Sequence, residues 1–374
     1  VDLMNKRVLM RVDFNVPIDE KGMITDDTRI RETLPTIQHV LKDCSQLVIM
    51  THFGRPKGPE DSIFRTNVLA ERLIILIGQS VRKVDFCTGD LPQDKIIFLE
   101  NVRFYPEEEQ DDDMFAQELA KHGQIYVCEA FSNAHRKHAS MHAIMKYLPC
   151  CAGMLFQKEV CNLSFGEERP LVAVVGGSKI STKFGVLNTL LQNVDYLLIG
   201  GAMMFTFYKA KGWEIGKSLY EKEQVTAAQM MQHNDKLILP VDVVVARDKD
   251  APRGEVVDAK HIPADMIGLD IGPKSIALFK SYLKNARQVF WNGPLGYFEN
   301  HVFAQSTNEL AVFISALKAR TVVGGGDTIA AIDQSLPFTH ISTAGGASLE
   351  LIEKGTLPAI KTLDENEIEF FGKH

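Results

Sequence analysis

One pattern recurs along the whole chain: a short, β-branched apolar run, then a polar or glycine-rich turn, then a segment with helical spacing. In the first half the runs are residues 8–12, 47–50, 96–99 and 125–127. In the second they are 171–175, 196–199, 241–245, 289–291, 321–323 and 340–342. A run apolar at successive positions is apolar on both faces, which suits a parallel sheet covered by helices on either side. The intervening segments 68–76, 115–121 and 310–317 repeat apolar residues three and four apart. Strand and helix in alternation predict an α/β fold with right-handed crossovers. At 374 residues the chain is long enough for two such domains.

In an open parallel sheet, ligands bind beyond the carboxyl ends of the strands, so the residues placed there carry the functional reading. The two halves differ sharply. After the first-half strands come Asp13-Phe14-Asn15, His52-Phe53-Gly54-Arg55, Glu100 to Arg103, and Ala134-His135-Arg136. Arg55, Arg103 and Arg136 follow three different strands, and Arg29 is placed in the loop after the first. A guanidinium is a planar fork of donors matched to carboxylate and phosphate, so this half predicts a site for a small, multiply anionic molecule.

After the second-half strands come Gly176-Gly177-Ser178-Lys179, Gly200-Gly201, Gly293-Pro294-Leu295-Gly296, Gly324-Gly325-Gly326-Asp327 and Ala344-Gly345-Gly346. A lone double glycine is usually a tight turn. Five together favour a ligand that approaches backbone N–H groups, as a nucleotide phosphate does. Asp327 is then a candidate Mg²⁺ ligand. Lys179 and Lys183 are four apart and would share a face of a helix.

The net charge of −7 argues against a nucleic-acid partner. No apolar stretch suits a membrane span, and the stretch 187–208 is interrupted by Asp195. The six cysteines form no C-x-x-C pair and are read as reduced thiols of a cytoplasmic protein. The run 107–113 (EEEQDDD) is read as a solvated acidic face. The stretch 212–218 (GWEIGKS) has three residues between its glycines where a Walker loop needs four. His135, His138 and His142 lack an acidic or thiol partner for zinc.

Taken together, RVDFNVP (11–17), THFGRP (51–56), LENVRFY (99–105), AHRKHAS (134–140), VVGGSKISTK (174–183), FWNGPLGYFE (290–299), VVGGGDT (322–328) and STAGGASLE (342–350) resemble the phosphoglycerate kinase family, in family order along the chain. The resemblance implies two doubly wound, Rossmann-like parallel-sheet domains facing across a cleft. It places a 3-phosphoglycerate domain at 1–156, a nucleotide domain at 157–357, and a tail at 358–374 that packs back on the first.

It further implies that Asp13, Phe14, Asn15, Arg29, His52, Phe53, Gly54, Arg55, Arg103 and Arg136 bind 3-phosphoglycerate. ATP or ADP would contact Gly177, Lys183, Gly201, Glu299, Gly324, Gly325, Gly326, Asp327 and Thr328, with Asp327 on Mg²⁺. Arg29, Lys179, Lys183, Gly345 and Gly346 would serve phosphoryl transfer itself, from ATP to the carboxylate of 3-phosphoglycerate. The expected protein is a cytoplasmic, monomeric glycolytic enzyme whose cleft closes around its substrates. Two departures stand out: Glu129 to Asn133 (EAFSN) where the family usually has D-A-F-G-T, and Ala344 in a usual triple glycine.

Overall fold

The computed structural model describes residues 1–372. The chain divides into two compact units, Val1–Cys161 joined by the segment from Lys354 onward, and Asn162–Glu353. The expected boundaries at 156 and 357 lie a few residues away. Both junctions fall inside helices, Met154–Leu163 and Gly346–Lys354, where no turn residue marks them.

The first unit contains β1 (Arg7–Arg11), β2 (Gln46–Met50), β3 (Arg82–Lys83), β4 (Ile96–Phe98), β5 (Ile125–Cys128) and β6 (Cys150–Ala152). They form one parallel sheet in the order β3-β4-β2-β1-β5-β6. The chain winds outward from β1 to one edge, then returns to β5 on the other side. The switch point between β1 and β5 therefore opens a crevice at their carboxyl ends. Val8, Met10, Leu47, Ile49, Ile96 and Phe98 pack one face of the sheet against Ile30, Ile37 and Val40 of the helix Thr28–Asp43 and Leu69 and Leu73 of the helix Asn67–Ile77. The C-terminal helix Pro358–Phe371 belongs to this unit. Its Asn366 accepts from the Cys150 N–H at 2.8 Å and donates to the Met145 and Leu148 carbonyls at 2.6 and 2.8 Å.

The second unit contains β7 (Leu171–Val175), β8 (Tyr196–Ile199), β9 (Glu214–Ile215), β10 (Leu237–Ile238), β11 (Asp242–Ala246), β12 (Glu255–Asp258), β13 (His261–Ile262), β14 (Ile267–Ile271), β15 (Gln288–Asn292), β16 (Arg320–Gly324) and β17 (His340–Ser342). Six of them form a second parallel sheet, β10-β8-β7-β15-β16-β17, with its switch point between β7 and β15.

One predicted strand sits elsewhere. The run read at 241–245 is β11, which pairs antiparallel with β12 and β14 in a separate three-stranded sheet. The edge of the parallel sheet is instead the two-residue β10. Pro240, with no N–H to donate, separates the two strands. The run 107–113 also departs from its reading. Glu108, in the short helix Pro106–Glu109, is fully buried and bonded to Ser140.

Candidate functional site

The carboxyl ends of β1, β2, β4 and β5 converge on a basic cluster. Asp13, just beyond β1, takes the Arg29 guanidinium at 2.6 Å and the Ser132 hydroxyl. Arg29 lies in the first turn of the helix Thr28–Asp43, not in the preceding loop where the sequence placed it. The Asn15 side chain accepts from the Gly54 N–H at 2.8 Å, and Arg103 donates to the Gly54 carbonyl at 2.8 Å. Gly54 has φ +61°, and a Cβ there would fall 2.2 Å from the Phe64 ring, so a side chain is excluded. Phe14 and Phe53 are buried and support the site from below rather than lining it. The Phe14 and Phe53 N–H groups bond the side chains of Thr51 and Asn101 at 3.0 and 3.1 Å. Arg136 is half-buried beside His135, whereas Arg55 is exposed and, among the described residues, forms no ion pair.

The charge at this site is visible in its histidines. Burial, and then the positive charges of Arg11, Arg103, Arg29 and Arg136, hold His52 well below the usual imidazole range. Burial and Arg11, Arg103 and Arg136 likewise bring His138 down to about 4. Arg103 is itself lowered to about 10 by burial and by Arg11 and Arg136. Burial is the larger cause at His52, and the four guanidiniums add positive charge that an anion would offset.

Arg11, Ser132, Asn133 and His138 belong to this cluster but were absent from the sequence-derived set. Arg11 was discoverable, since an arginine inside the otherwise apolar run 8–12 calls for an explanation. Ser132 and Asn133 sit on the segment that departs from the family pattern, and they are joined at 3.1 Å. Glu129, in the same segment, lies outside the cluster. It accepts from the Thr36 hydroxyl and from the N–H groups of Leu155 and Phe156, and burial lifts it to about 7.

The second unit has a cavity of about 640 Å³ lined in part by Gly177, Gly201 and Gly296, and the glycines at its strand ends are of two kinds. Gly176, Gly201 and Gly293 serve close packing. A Cβ on Gly176 would lie 2.0 Å from the Pro294 carbonyl oxygen, and one on Gly201 would lie 2.4 Å from the Gly177 nitrogen. The N–H groups of Gly177 and Gly201 are bonded to the Pro294 and Leu295 carbonyls, both at 3.0 Å, so these two residues wall the cavity without offering those donors. Gly326, Gly345 and Gly346 are different: a Cβ at any of them would meet nothing within 4 Å. Gly346 opens the nine-residue helix Gly346–Lys354, whose first N–H groups lack intrahelical partners.

The cavity wall is apolar at Met204, Phe205, Leu219 and Leu269, and Glu299 and Asp327 stand at it as exposed carboxylates. Thr328 is wholly buried. Its hydroxyl donates to the Gly324 carbonyl at 2.7 Å and accepts from the Gly293 N–H at 2.6 Å, so it braces two loops. Gly325 has φ +96°, and a Cβ there would crowd the Asn292 amide at 2.9 Å.

Lys183 and Lys179 do not share a helical face. The helix begins at Phe184, and Lys179 is exposed in the loop before it. The Lys183 ammonium donates to the Gly176 carbonyl and to Asn292 Oδ1, both at 2.8 Å, and burial lowers it to about 8 with Asp327 opposing. The Walker-like stretch contributes β9, paired with β13, and its Ser218 accepts from the Gly268 N–H at 2.9 Å. Its Lys217 nonetheless reaches the cavity wall, a residue the sequence did not single out. No cluster of three or more His, Cys, Asp or Glu among the described residues could hold a metal ion unaided.

A doubly wound unit bearing a polycation at its switch point, and another bearing an apolar, glycine-walled cavity with a lysine and an acid, define an α/β protein of the phosphotransferase class. The comparisons with known proteins narrow this. The family model for phosphoglycerate kinase matches residues 1–355. The phosphoglycerate kinase of Thermosynechococcus vestitus is 46% identical, with 97% of each chain covered. That of Nostoc punctiforme is 45% identical over the same shares. The solved structure of the Coxiella burnetii phosphoglycerate kinase superposes with a TM-score of 0.90 at 38% identity, covering 99% of this chain and 98% of the other. That from Pyrococcus horikoshii gives 0.84 at 28% identity over the same shares. The chain belongs to the phosphoglycerate kinase family, enzymes that transfer a phosphoryl group to a carboxyl group.

Proposed function

We propose that this enzyme catalyses reversible, Mg²⁺-dependent transfer of the γ-phosphoryl group of ATP to the carboxylate of 3-phosphoglycerate, giving ADP and 1,3-bisphosphoglycerate, as a cytoplasmic glycolytic monomer. The observation that carries this reading is the gathering of guanidiniums at the strand ends of the first unit. Arg29 is held on Asp13 at 2.6 Å, Arg103 on the Gly54 carbonyl at 2.8 Å and Arg11 lies 3.3 Å from His52, a cluster suited to a ligand bearing both phosphate and carboxylate. The first unit is then the acceptor domain and the second the nucleotide domain, with the C-terminal helix part of the former.

A carboxylate is already ionised at neutral pH, so the acceptor needs no general base. One of its oxygens bonds to the γ-phosphorus while the bond from that phosphorus to the ADP oxygen breaks. The protein's part is positioning and charge neutralisation. Arg29 and Lys179 stabilise the equatorial oxygens, and the N–H groups at Gly345–Gly346 add the positive end of their helix. Lys183, lowered to about 8 by burial, still carries its charge predominantly at neutral pH, and an arriving phosphate favours that charged form further. Asp327 is an exposed oxygen donor at the cavity and fits Mg²⁺, which takes one or two carboxylates alongside nucleotide phosphates. The bound ion supplies charge neutralisation of the transferring group. The reaction requires the two ligands to be brought together with water excluded, so domain closure is part of the proposed cycle.

A coupled assay of ADP release with and without 3-phosphoglycerate tests the proposal. Release strictly dependent on the acid and on Mg²⁺ supports it, and equal release without the acid refutes it.

A further inference from the structure

Beneath the basic cluster lies a guanidinium with no exposed surface. Arg11 closes β1 and is 0% accessible. Its Nε donates to the Ser140 hydroxyl at 2.8 Å, Nη1 donates to the Val12 carbonyl, and Nη2 lies 3.3 Å from Nδ1 of His52. Its charge is offset by Glu108, 4.0 Å away and equally buried. Glu108 in turn accepts from the Ser140 N–H at 2.8 Å and from its hydroxyl at 2.6 Å. Every edge of the Arg11 fork thus faces protein, so Arg11 acts on a ligand through a neighbour.

That neighbour is His52. A guanidinium only donates, so the Nδ1 it faces must carry a lone pair. The Asp13 carboxylate, which would favour a proton on Nδ1, is 3.9 Å away, beyond hydrogen-bond reach. Burial of the ring, and then the charges of Arg103, Arg29 and Arg136, oppose a second proton. We infer that Arg11 is a positioning residue that holds His52 as the neutral tautomer protonated at Nε2, making the imidazole an uncharged hydrogen-bond donor for the anionic substrate. Neutrality matters because the pocket empties at each turnover. A neutral donor adds a hydrogen bond for the anion without adding a fifth positive charge to the unliganded cluster. The inference rests on the reading of His52 as a substrate residue.

Nitrogen-15 correlation spectra of the full chain, with and without 3-phosphoglycerate, test both parts. The expected wild-type result at pH 7 is Nδ1 unprotonated and Nε2 protonated, with the Nε2 signal moving when the acid is added. In Arg11→Lys, which keeps the charge but not the fork, the tautomers should mix. KM for 3-phosphoglycerate should then rise roughly five- to tenfold, with kcat changed much less. Should that variant fold poorly, Ser140→Ala, which frees the Nε edge of Arg11 and removes one donor to Glu108, replaces it and should shift the same signals in the same direction. An Nδ1-protonated ring or an imidazolium in the wild-type protein overturns the inference outright. The expected tautomer with signals indifferent to the acid would instead overturn the ligand reading and the functional half of the inference with it.

Discussion

Asp270 offers a measurable link between proton binding and stability. It is 1% exposed, in β14, behind the wall of the second unit's cavity. Its carboxylate accepts from the Ile271 N–H at 2.9 Å, and from the N–H (3.1 Å) and hydroxyl of Ser306 at the start of the helix Gln305–Ser315. Burial outweighs these donors and raises the group from 3.8 to about 7. The folded state therefore holds this proton more tightly than the unfolded state. The resulting stabilisation is complete below pH 4 and is lost as pH rises through 7. A shift of about three units at 1.36 kcal/mol each sets a ceiling of about 4 kcal/mol.

Asp270→Asn cannot titrate, so its stability should not follow this slope. It also loses one acceptor, a cost of about 1–3 kcal/mol that should leave it weaker than wild type at pH 5. Both tryptophans, Trp213 and Trp291, lie in the second unit, so their emission during denaturation reports that unit alone. Between pH 5 and pH 8 the wild-type advantage should shrink or reverse. Parallel stability curves for the two proteins across that range would refute the reasoning.

Arg29→Ala should lower kcat by about 10²- to 10³-fold, as loss of one preorganised donor to developing charge does, with a much smaller change in ATP KM. An intact kcat with a raised ATP KM would show the role to be wrong. Gly201→Ala and Gly346→Ala should behave oppositely. The first forces a Cβ at φ +64° to within 2.4 Å of backbone and should destabilise the second unit by at least about 1–3 kcal/mol in the same denaturation assay, whereas the second meets open space. Gly346→Ala should therefore keep its stability, and any loss of activity reports on the ligand. Asp327→Ala should weaken Mg²⁺-nucleotide binding roughly tenfold or more in calorimetry while leaving 3-phosphoglycerate affinity within twofold, and equal loss of both would refute the assignment to separate units.

Local rules made most of the main sheet strands and the whole contrast between the two halves legible in the sequence. Apolar runs, glycine turns and strand-end arginines are short-range signals. They placed Asp13, Asn15, Arg103, Arg136, Asp327 and Gly346 in the segments that follow the strands, where the structure has them. What local rules could not assign was the partner of each group. Two glycine pairs look alike in sequence, yet the N–H of Gly201 is bonded to Leu295 while Gly346 faces open space. Glu108 reads as one acid in a solvated run, but the fold buries it beneath Arg11 and Ser140. Lys179 and Lys183 share a helical spacing that the chain does not use, because the helix starts one residue after Lys183. Periodicity and residue type are properties of the chain itself, so the sequence alone determined the α/β class and the charge asymmetry between its halves. Burial and hydrogen-bond pairing depend on residues distant in the chain, so only the tertiary structure decided which glycines stay open and which arginine holds His52.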